Sequence, residues 1–498
     1  MVNFKKFIGG FCANLMGMPH PLLDKLDSWK RQFGGPENGA LERLLERVAR
    51  TRFRDATDLI RLHETLLFLR AYPRTAGVAR LADEILARFG DRVAGVDPAP
   101  FEDAEVSGIA GTALGAVFSY EVARSLHARH PGDIEIAWDR YDEIDRMGPV
   151  ISRLIPLARE DWPVEAHVPF QRWVPGLGWL LAHLKGPDAA EQYGSMAVPL
   201  EWKIAPAISR SSMRLPSRKL FCHTEPLLQR RDVSLGRELE APPIAVRDVP
   251  RKEARAILDL IMDTSAMRYR ELYGFSHPET NRVSHAELGR GVEMYFFGVP
   301  PEWRLPVRAY HAGMFFKNGV PAGYVELLSV FERAEVGFNL YYTFREGESA
   351  WLYARILHLF RQELGVNVFS VDPYQIGHKN SEAIDSGAFW FYRKLGFRPV
   401  DPEIAALTAR EEAKMVRTPG HRSGRRTLER LASGYVLYEG PGAEHGAWDC
   451  FTARDLVLRG RIPGAAKIAA AKRRGSEAEY LRVLQRDRRL RAAFLRAL

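Results

Sequence analysis

Three strand-like runs follow one another in the middle of this chain of 498 residues. Residues 310–316, 322–331 and 336–344 are rich in Tyr, Phe and Val, which are among the residue types most favoured in β-strands. Lys317, Asn318 and Gly319 separate the first two runs, and an Asn-Gly pair is typical of a tight hairpin turn. The sequence therefore predicts an antiparallel meander in this region.

Helical and strand patterns alternate around the meander. A helical stripe of apolar residues begins at Glu253, and a second runs over 349–364 and stops at Gly365. A strand pattern over 366–371 and a helical pattern over 382–395 follow. The expected fold class is α/β (α+β), with a mixed sheet flanked by helices, a mostly helical domain before it and a basic segment after it.

The domain organisation is predicted from the length of the chain and from the changes of composition along it. A hydrophobic content of 46% and a charged content of 27% exclude a disordered or fibrous protein, and 498 residues correspond to about three domains. The expected divisions are an N-terminal segment (1–35), a helical domain (36–185), a proline-rich irregular connection (186–250), the sheet domain (251–410) and a basic, partly helical region (411–498). Within the helical domain, we expect a helix over about 110–127, whose glycines allow close packing against a neighbouring helix.

The cysteines and the hydropathy of the sequence indicate in which cellular compartment the protein is expected. Cys12, Cys222 and Cys450 are far apart and show no spacing typical of a zinc site or a disulfide framework. Cys222 and His223 are neighbours, but a pair of residues is insufficient for a metal site. The apolar residues of 1–18 are interrupted by glycines, and no run of ~18 apolar residues occurs. We therefore expect a soluble cytoplasmic protein with no membrane association and no metal.

Two junctions carry residues in a specific order. In the helix 382–395 and the turn after it, Ala388, Tyr392, Gly396 and Phe397 follow at fixed spacing. Ahead of the helix 349–364, the stretch 341–350 places an arginine, a glycine and small residues where a helix begins. Backbone N–H groups at a helix N-terminus bind phosphate groups, which makes this second junction a candidate anion site.

These junctions and the order of elements resemble the GNAT superfamily of acyl-CoA-dependent N-acyltransferases over about 251–402. In that family a Gln or Arg, two residues, a Gly, one residue and a Gly or Ala form the pyrophosphate loop. Arg345 and Ala350 fit this spacing with Glu348 at the central glycine, whereas Gly347 and Ser349 fit after a shift of one residue. Glu346 and Glu348 are expected to repel phosphates.

The resemblance implies transfer of an acyl or acetyl group from acyl-CoA to a small amine or peptide. It makes Tyr392 the general acid for the leaving thiolate, and Glu326 or Glu335 the general base. Asp372, His311 and His378 are further candidate bases. The residues implied in binding acetyl-CoA or another acyl-CoA are Leu340, Tyr341, Tyr342, Thr343, Arg345, Gly347, Ser349, Ala350, Asn380 and Asp385.

Two other functions remain open on the sequence alone. One is a catalytically inactive binding or regulatory protein of the same fold, which the glutamate in the phosphate loop favours. The other is an aminoacyl-tRNA-using transferase, because residues 456–498 carry 12 Lys and Arg against three Asp and Glu. That basic region is predicted either to contact RNA or another polyanion, or to be a solvated helix with an apolar face.

Overall fold

The structure is a computed structural model that describes residues 20–33, 38–155, 173–216, 219–449 and 465–497. Most of the expected N-terminal segment 1–35, and the cysteines Cys12 and Cys450, lie outside these ranges. The chain divides into two units. We call Gly17–Pro216 with Ala256–Ser276 the N-terminal unit, and Ser217–Arg255 with His277–Leu498 the C-terminal unit.

The N-terminal unit is built mainly of helices. Its helices are α1 (Pro21–Lys30), α2 (Asn38–Arg50), α3 (Ala56–Ala71), α4 (Ala76–Ala87), α5 (Phe89–Val93), α6 (Tyr120–Arg129), α7 (Gly148–Leu154), α8 (Leu177–His183) and α9 (Ala189–Met196). Among the described residues a small antiparallel sheet of order β1-β3-β2 joins them, formed by β1 (Ala113–Val117), β2 (Ile134–Ile136) and β3 (Pro199–Lys203). The predicted mostly helical character of this region is thus accompanied by a sheet that the sequence analysis missed.

Two glycines explain why the helix expected over 110–127 is wrong in its first half. Gly108 and Gly111 have φ angles of 84° and 79°, a backbone conformation that interrupts a helix. The chain enters β1 instead and pairs with β3. The helix α6 begins only at Tyr120, where the side chain of Ser119 accepts a hydrogen bond from the backbone N–H of Val122.

The stretch 186–250, expected to be an irregular connection, contains regular structure and is divided between the units. Its first part includes α9 and β3, and β3 is the central strand of the small sheet. Its second part includes α10 (Leu235–Leu239) and β4 (Val246–Asp248), which is an edge strand of the large sheet. Proline content is a poor guide here because these strands are short and the prolines lie beside them.

The C-terminal unit contains a large mixed sheet, which confirms the mixed α/β class. In the described residues its order is β11-β12-β10-β9-β8-β7-β6-β5-β4. Among these described strands, only the β9 and β10 pair is parallel. The remaining strands are β5 (Val283–Gly289), β6 (Val292–Gly298), β7 (Ala309–Lys317), β8 (Val320–Val330), β9 (Arg333–Leu340), β10 (Val368–Val371), β11 (Arg398–Pro399) and β12 (Val436–Glu439).

Helices precede, interrupt and follow this sheet along the chain. They are α11 (Arg251–Ala266), α12 (Tyr273–Ser276), α13 (Ser349–Leu364), α14 (Pro373–Ile376), α15 (Ser381–Asp385), α16 (Ala388–Lys394), α17 (Pro402–Arg417), α18 (Arg425–Leu431), α19 (Ala465–Lys472), α20 (Glu477–Arg486) and α21 (Arg488–Ala497). Helix α11 begins in the C-terminal unit and continues in the N-terminal unit.

The predicted meander is confirmed as β7, β8 and β9. Asn318 and Gly319 have φ angles of 48° and 77°, as the tight turn between β7 and β8 requires. The third strand starts and ends earlier than predicted, and residues 342–344 form a turn of 3₁₀-helix instead. The hairpin of β5 and β6, which extends the sheet before the meander, was not predicted.

Two further expectations need correction. The single helix expected over 382–395 is two helices, α15 and α16, because Gly387 has a φ angle of 69° and ends the first. The sheet domain does not stop at residue 410, since β12 lies between β10 and β11. Such an insertion depends on pairing between distant strands, which a local pattern does not reveal.

Candidate functional site

The strands β9 and β10 are paired at one end and unpaired at the other. Their parallel register joins Arg333 to Val368 and Glu335 to Ser370 at its limits. Over the remaining residues of β9, 336–340, the strand pairs with β8 on one side and, among the described residues, with no strand on the other. We call the space beside this unpaired edge the interstrand gap.

Backbone groups of β9 line the interstrand gap. The backbone N–H of Tyr341 donates to the carbonyl oxygen of Ala322, so this residue is turned toward β8. Because hydrogen-bonding groups alternate along a strand, Phe338 and Leu340 turn theirs to the opposite side, toward the gap. The Nε–H of Arg345 donates a hydrogen bond to the carbonyl oxygen of Leu340 at 3.3 Å. Arg345 thus occupies the Leu340 carbonyl, and the gap offers the backbone groups of Phe338 and the N–H of Leu340 to an extended ligand with amide groups.

Helix α13 begins just after β9, and its first backbone amides are uncapped. Glu348 occupies the N-cap position, but its side chain makes no capping hydrogen bond. In the described part of the chain, no acceptor pairs with the backbone N–H groups of Ser349, Ala350 and Trp351. Free amides at the start of a 16-residue helix carry a partial positive charge and favour an anion.

The Glu348 carboxylate turns away from these amides into an ion-pair cluster. It is 2% exposed and accepts two hydrogen bonds from Arg290, at 2.9 Å from Nε and 2.6 Å from Nη2. It also accepts the backbone N–H of Leu228 at 3.0 Å, and the Nζ of Lys317 lies 4.0 Å away. Arg290, and Lys317 in its charged form, therefore lie beside the carboxylate that was expected to repel phosphates.

Lys317 is the titratable member of this cluster near neutral pH. Burial lowers its pKa from 10.5 to about 7, and Arg290 acts in the same direction while Glu348 opposes both. The ammonium also donates to the carbonyl oxygen of Arg290. This arrangement links the β5–β6 turn and the β7–β8 turn to the start of α13.

A pH dependence of stability follows from Lys317. Between about pH 7 and 10.5 the unfolded chain holds a proton on this lysine that the folded chain has released. The free energy of unfolding should therefore rise with pH in this window, by at most about 1.4 kcal/mol per pH unit. Urea denaturation from pH 6 to 10 should show this slope in the wild type and a flatter one in Lys317→Met. Equal slopes would contradict the assignment.

The loop residues expected to bind the cofactor have different environments. Arg345 pairs with Glu382, so it links the turn after β9 to α15. Tyr342 is exposed, whereas Tyr341 and Thr343 are buried. The backbone N–H of Gly347 donates to the Phe344 carbonyl oxygen at 2.9 Å, which fixes the turn before α13.

Asn380 and Asp385 lie at the two ends of α15 and make different contacts. The Asn380 side chain caps this helix by accepting the backbone N–H of Ala383 at 3.2 Å. Asp385 is exposed at the other end and pairs with Arg425 at 2.9 Å. The structure thus brings Leu340, Arg345 and the start of α13 together, and places Asp385 in a surface ion pair.

Two tyrosines face each other between α13 and α16. The rings of Tyr353 and Tyr392 are 5.5 Å apart and edge to face, and Tyr353 also contacts Phe338 of β9 at 5.1 Å. In the described residues neither hydroxyl has a hydrogen-bond partner. Burial raises the pKa of both, so both phenols stay protonated at neutral pH. Sequence reasoning missed Tyr353, although it lies at helical spacing with Ile356 and Phe360.

Comparison with protein-family models, with curated proteins and with solved structures found no match. Within the residues that the structure describes, no helix combines the length and hydropathy that crossing a bilayer requires. In the same residues, no group of three or more His, Cys, Asp or Glu side chains is placed to hold a metal ion.

The carboxylate of Glu326 lies on β8, the neighbour of β9 on the side away from the gap. The register pairs Ala312 with Glu326 and Glu326 with Gly337, so these residues share one face of the sheet. Tyr310 donates its hydroxyl to Glu326 on that face. Phe338, with the phenols of Tyr353 and Tyr392 beyond it, is on the other face. The carboxylate of Glu326 and the two phenols therefore lie on opposite faces of the sheet at β9.

The other candidate bases occupy less suitable places. Glu335 is 5% exposed, beside Arg333, where the two strands are still paired. Asp372 caps α14 by accepting the backbone N–H of Tyr374 at 2.8 Å. Burial and the charge of Arg304 lower the pKa of His311 to about 3. His378 is exposed in the loop before α15.

Proposed function

We propose that this protein is an acyl-CoA-dependent N-acyltransferase of the GNAT type. The observation that carries the proposal is the parting of β9 and β10 directly in front of the uncapped start of α13. A gap that offers strand amides, followed by a helix N-terminus, suits a ligand with an extended amide arm and a pyrophosphate. Acyl-CoA has both parts in that order.

The residues present give each part of such a ligand a place. The amides of Ser349, Ala350 and Trp351 would take the pyrophosphate, and Phe338 and Leu340 would pair with the pantetheine arm. Because Arg290 and Lys317 compensate Glu348, the helix start keeps its affinity for anions. This compensation favours a functional site over a catalytically inactive protein that has lost its cofactor.

The proposed reaction is direct acyl transfer. Glu326 accepts a proton from the acceptor ammonium, and the free amine nitrogen attacks the thioester carbonyl carbon. The C–N bond forms, the C–S bond breaks, and Tyr392 gives its proton to the departing thiolate. The nitrogen, which is cationic after the C–N bond forms, releases its second proton to water. Solvent then reprotonates the Tyr392 phenolate and takes the proton held by Glu326, and the products are an amide and free CoA. Positioning of donor and acceptor across β9 would supply much of the rate.

The test is release of free CoA thiol from acetyl-CoA in the presence of small amines, amino acids and short peptides. We expect thiol release that depends on both the protein and an acceptor, together with a mass increase of the acceptor. Absence of turnover with every acceptor, combined with absence of acetyl-CoA binding, would overturn the proposal. Binding without turnover would point to an acceptor outside the set and would call for a wider set of amines.

A further inference from the structure

The two C-terminal helices, α20 and α21, are held against the C-terminal unit by their apolar sides. The buried residues of these helices include Tyr480, Leu481, Leu484, Leu490 and Phe494. The ring of Phe494 lies 5.5 Å from the ring of Phe331, which follows β8. The apolar side that the sequence predicted for this region is therefore occupied by contacts within the unit.

Polar contacts fix the same helices in position. Glu477 accepts the backbone N–H of Tyr310 at 2.7 Å and pairs with the Nε of Arg304 at 2.7 Å. Gln485 donates to the carbonyl oxygens of Phe331 and Leu364, both at 2.8 Å. These bonds join the helices to β7, to the end of β8 and to the end of α13, so the outer side of α20 is a fixed surface.

Four exposed arginines lie at the junction of α20 and α21. Arg482, Arg486, Arg488 and Arg489 are all exposed and lie within eight residues; we call them the arginine face. In the part of the chain that the structure describes, no ion pair joins them to a carboxylate. The one acid among them, Asp487, caps α21 by accepting the backbone N–H of Leu490 at 3.0 Å.

Some arginines elsewhere in the unit have carboxylate partners. Arg425 of α18 pairs with Asp385 at 2.9 Å and with Glu429 at 3.2 Å. Arg491, on the inner side of α21, pairs with Glu332. The arginine face differs from these sites because four guanidinium groups lie close together in sequence, with Glu479 and Asp487 as the nearby acids and without an ion pair to a carboxylate in the described residues.

We propose that the arginine face binds the phosphate backbone of a nucleic acid. Arg482 and Arg486 lie four residues apart on one helix, about 6 Å along its axis. A ligand with phosphates repeated along its length contacts several of these guanidinium groups at once and releases their counterions. Guanidinium groups also match phosphate oxygens with two parallel hydrogen bonds, which an ammonium group does not.

The same observations argue against an anionic membrane as the partner. A helix that lies in a membrane interface inserts its apolar side among the lipids. In α20 and α21 that side is buried within the unit, and Val483 remains exposed beside Arg482, so the arginine face offers mainly charge. A single phosphorylated side chain would in turn leave most of the face uncompensated. The proposal does not depend on acyltransferase activity.

The test compares two variants of the full chain with equal loss of charge. One is Arg482→Gln, Arg486→Gln, Arg488→Gln and Arg489→Gln together. The control replaces four exposed arginines of α17 and α18 with Gln: Arg410, Arg417, Arg426 and Arg430. Binding of a labelled 20-nucleotide single-stranded RNA and of a duplex DNA of the same length is measured between 50 and 300 mM KCl.

We expect the wild type to bind, with log affinity falling by about 3 per unit of log salt on single strands, since four contacts each contribute about 0.7. The arginine-face variant should bind about 100-fold more weakly at 0.1 M salt and with a smaller slope, whereas the control should change less than threefold. Whichever of the two nucleic acids, single-stranded RNA or duplex DNA, binds more tightly is the preferred ligand.

Equal losses in both variants, or no binding by the wild type at 50 mM KCl, would overturn the proposal. So would retention on phosphatidylserine vesicles that exceeds retention on both nucleic acids. The single variant Arg489→Gln guards against misfolding of the fourfold variant and should reduce the salt slope by about 0.7. An unchanged slope in this variant would count against the proposal.

Discussion

Glu348→Ala is expected to lower the free energy of unfolding by about 3–5 kcal/mol. Removing the carboxylate leaves Arg290 and Lys317 facing each other in a buried site without their common counter-charge. It also removes the acceptor for the backbone N–H of Leu228. Equilibrium denaturation in guanidinium chloride at pH 6, where Lys317 is charged, would measure the loss.

The matched control for this prediction is Glu346→Ala, two residues earlier. Glu346 is exposed, so its replacement should change the free energy of unfolding by about 0.5 kcal/mol or less. Glu348→Gln should fall between the two, since the amide keeps an acceptor oxygen but loses the charge. Similar small losses for Glu348→Ala and Glu346→Ala would show that the cluster does not hold the start of α13.

Tyr392→Phe is expected to reduce the rate of acyl transfer about 100-fold or more, within the range that general acid catalysis supplies. The change removes only the hydroxyl that we propose protonates the thiolate. Because this hydroxyl makes no hydrogen bond in the described residues, the variant should melt at the same temperature as the wild type or slightly higher. Its KM for the acyl donor should change little.

Two comparisons make the result for Tyr392 specific. Tyr374→Phe, at an exposed position of α14, should leave the rate unchanged. Tyr353→Phe should cause a smaller fall than Tyr392→Phe, because Tyr353 is fully buried behind it and acts by positioning its ring. A rate for Tyr392→Phe equal to that of the wild type would remove this residue from the mechanism, whatever the other variants do.

Local patterns predicted the elements of the fold better than their assembly. The meander and the helix α13 follow from side-chain periodicity and from turn residues such as Gly365, whose φ angle of 66° ends the helix. The β5–β6 hairpin was missed although Gly289, Arg290 and Gly291 all have positive φ angles, as a tight turn requires. A Gly-Arg-Gly sequence between two apolar runs was the available signal.

The candidate site depends on contacts between residues far apart in sequence, which explains what sequence reasoning missed. The glutamate at position 348 looked unfavourable for phosphates because its partners, Arg290 and Lys317, lie on two separate hairpin turns. The interstrand gap results from the register of β9 on β10, and no local pattern encodes where that pairing ends. The motif around Tyr392 was visible because its residues are close together in the sequence.

The central claim is that the interstrand gap and the start of α13 bind acyl-CoA, and calorimetric titration of CoA into the full chain tests it most directly. A Cβ atom built at Gly337 meets no atom closer than 3.8 Å, so Gly337→Phe should fold and place its ring at the mouth of the gap. We predict saturable 1:1 binding to the wild type and at least tenfold weaker binding to Gly337→Phe. No heat of binding to the wild type at millimolar CoA, or equal affinity in the two proteins, would contradict the account.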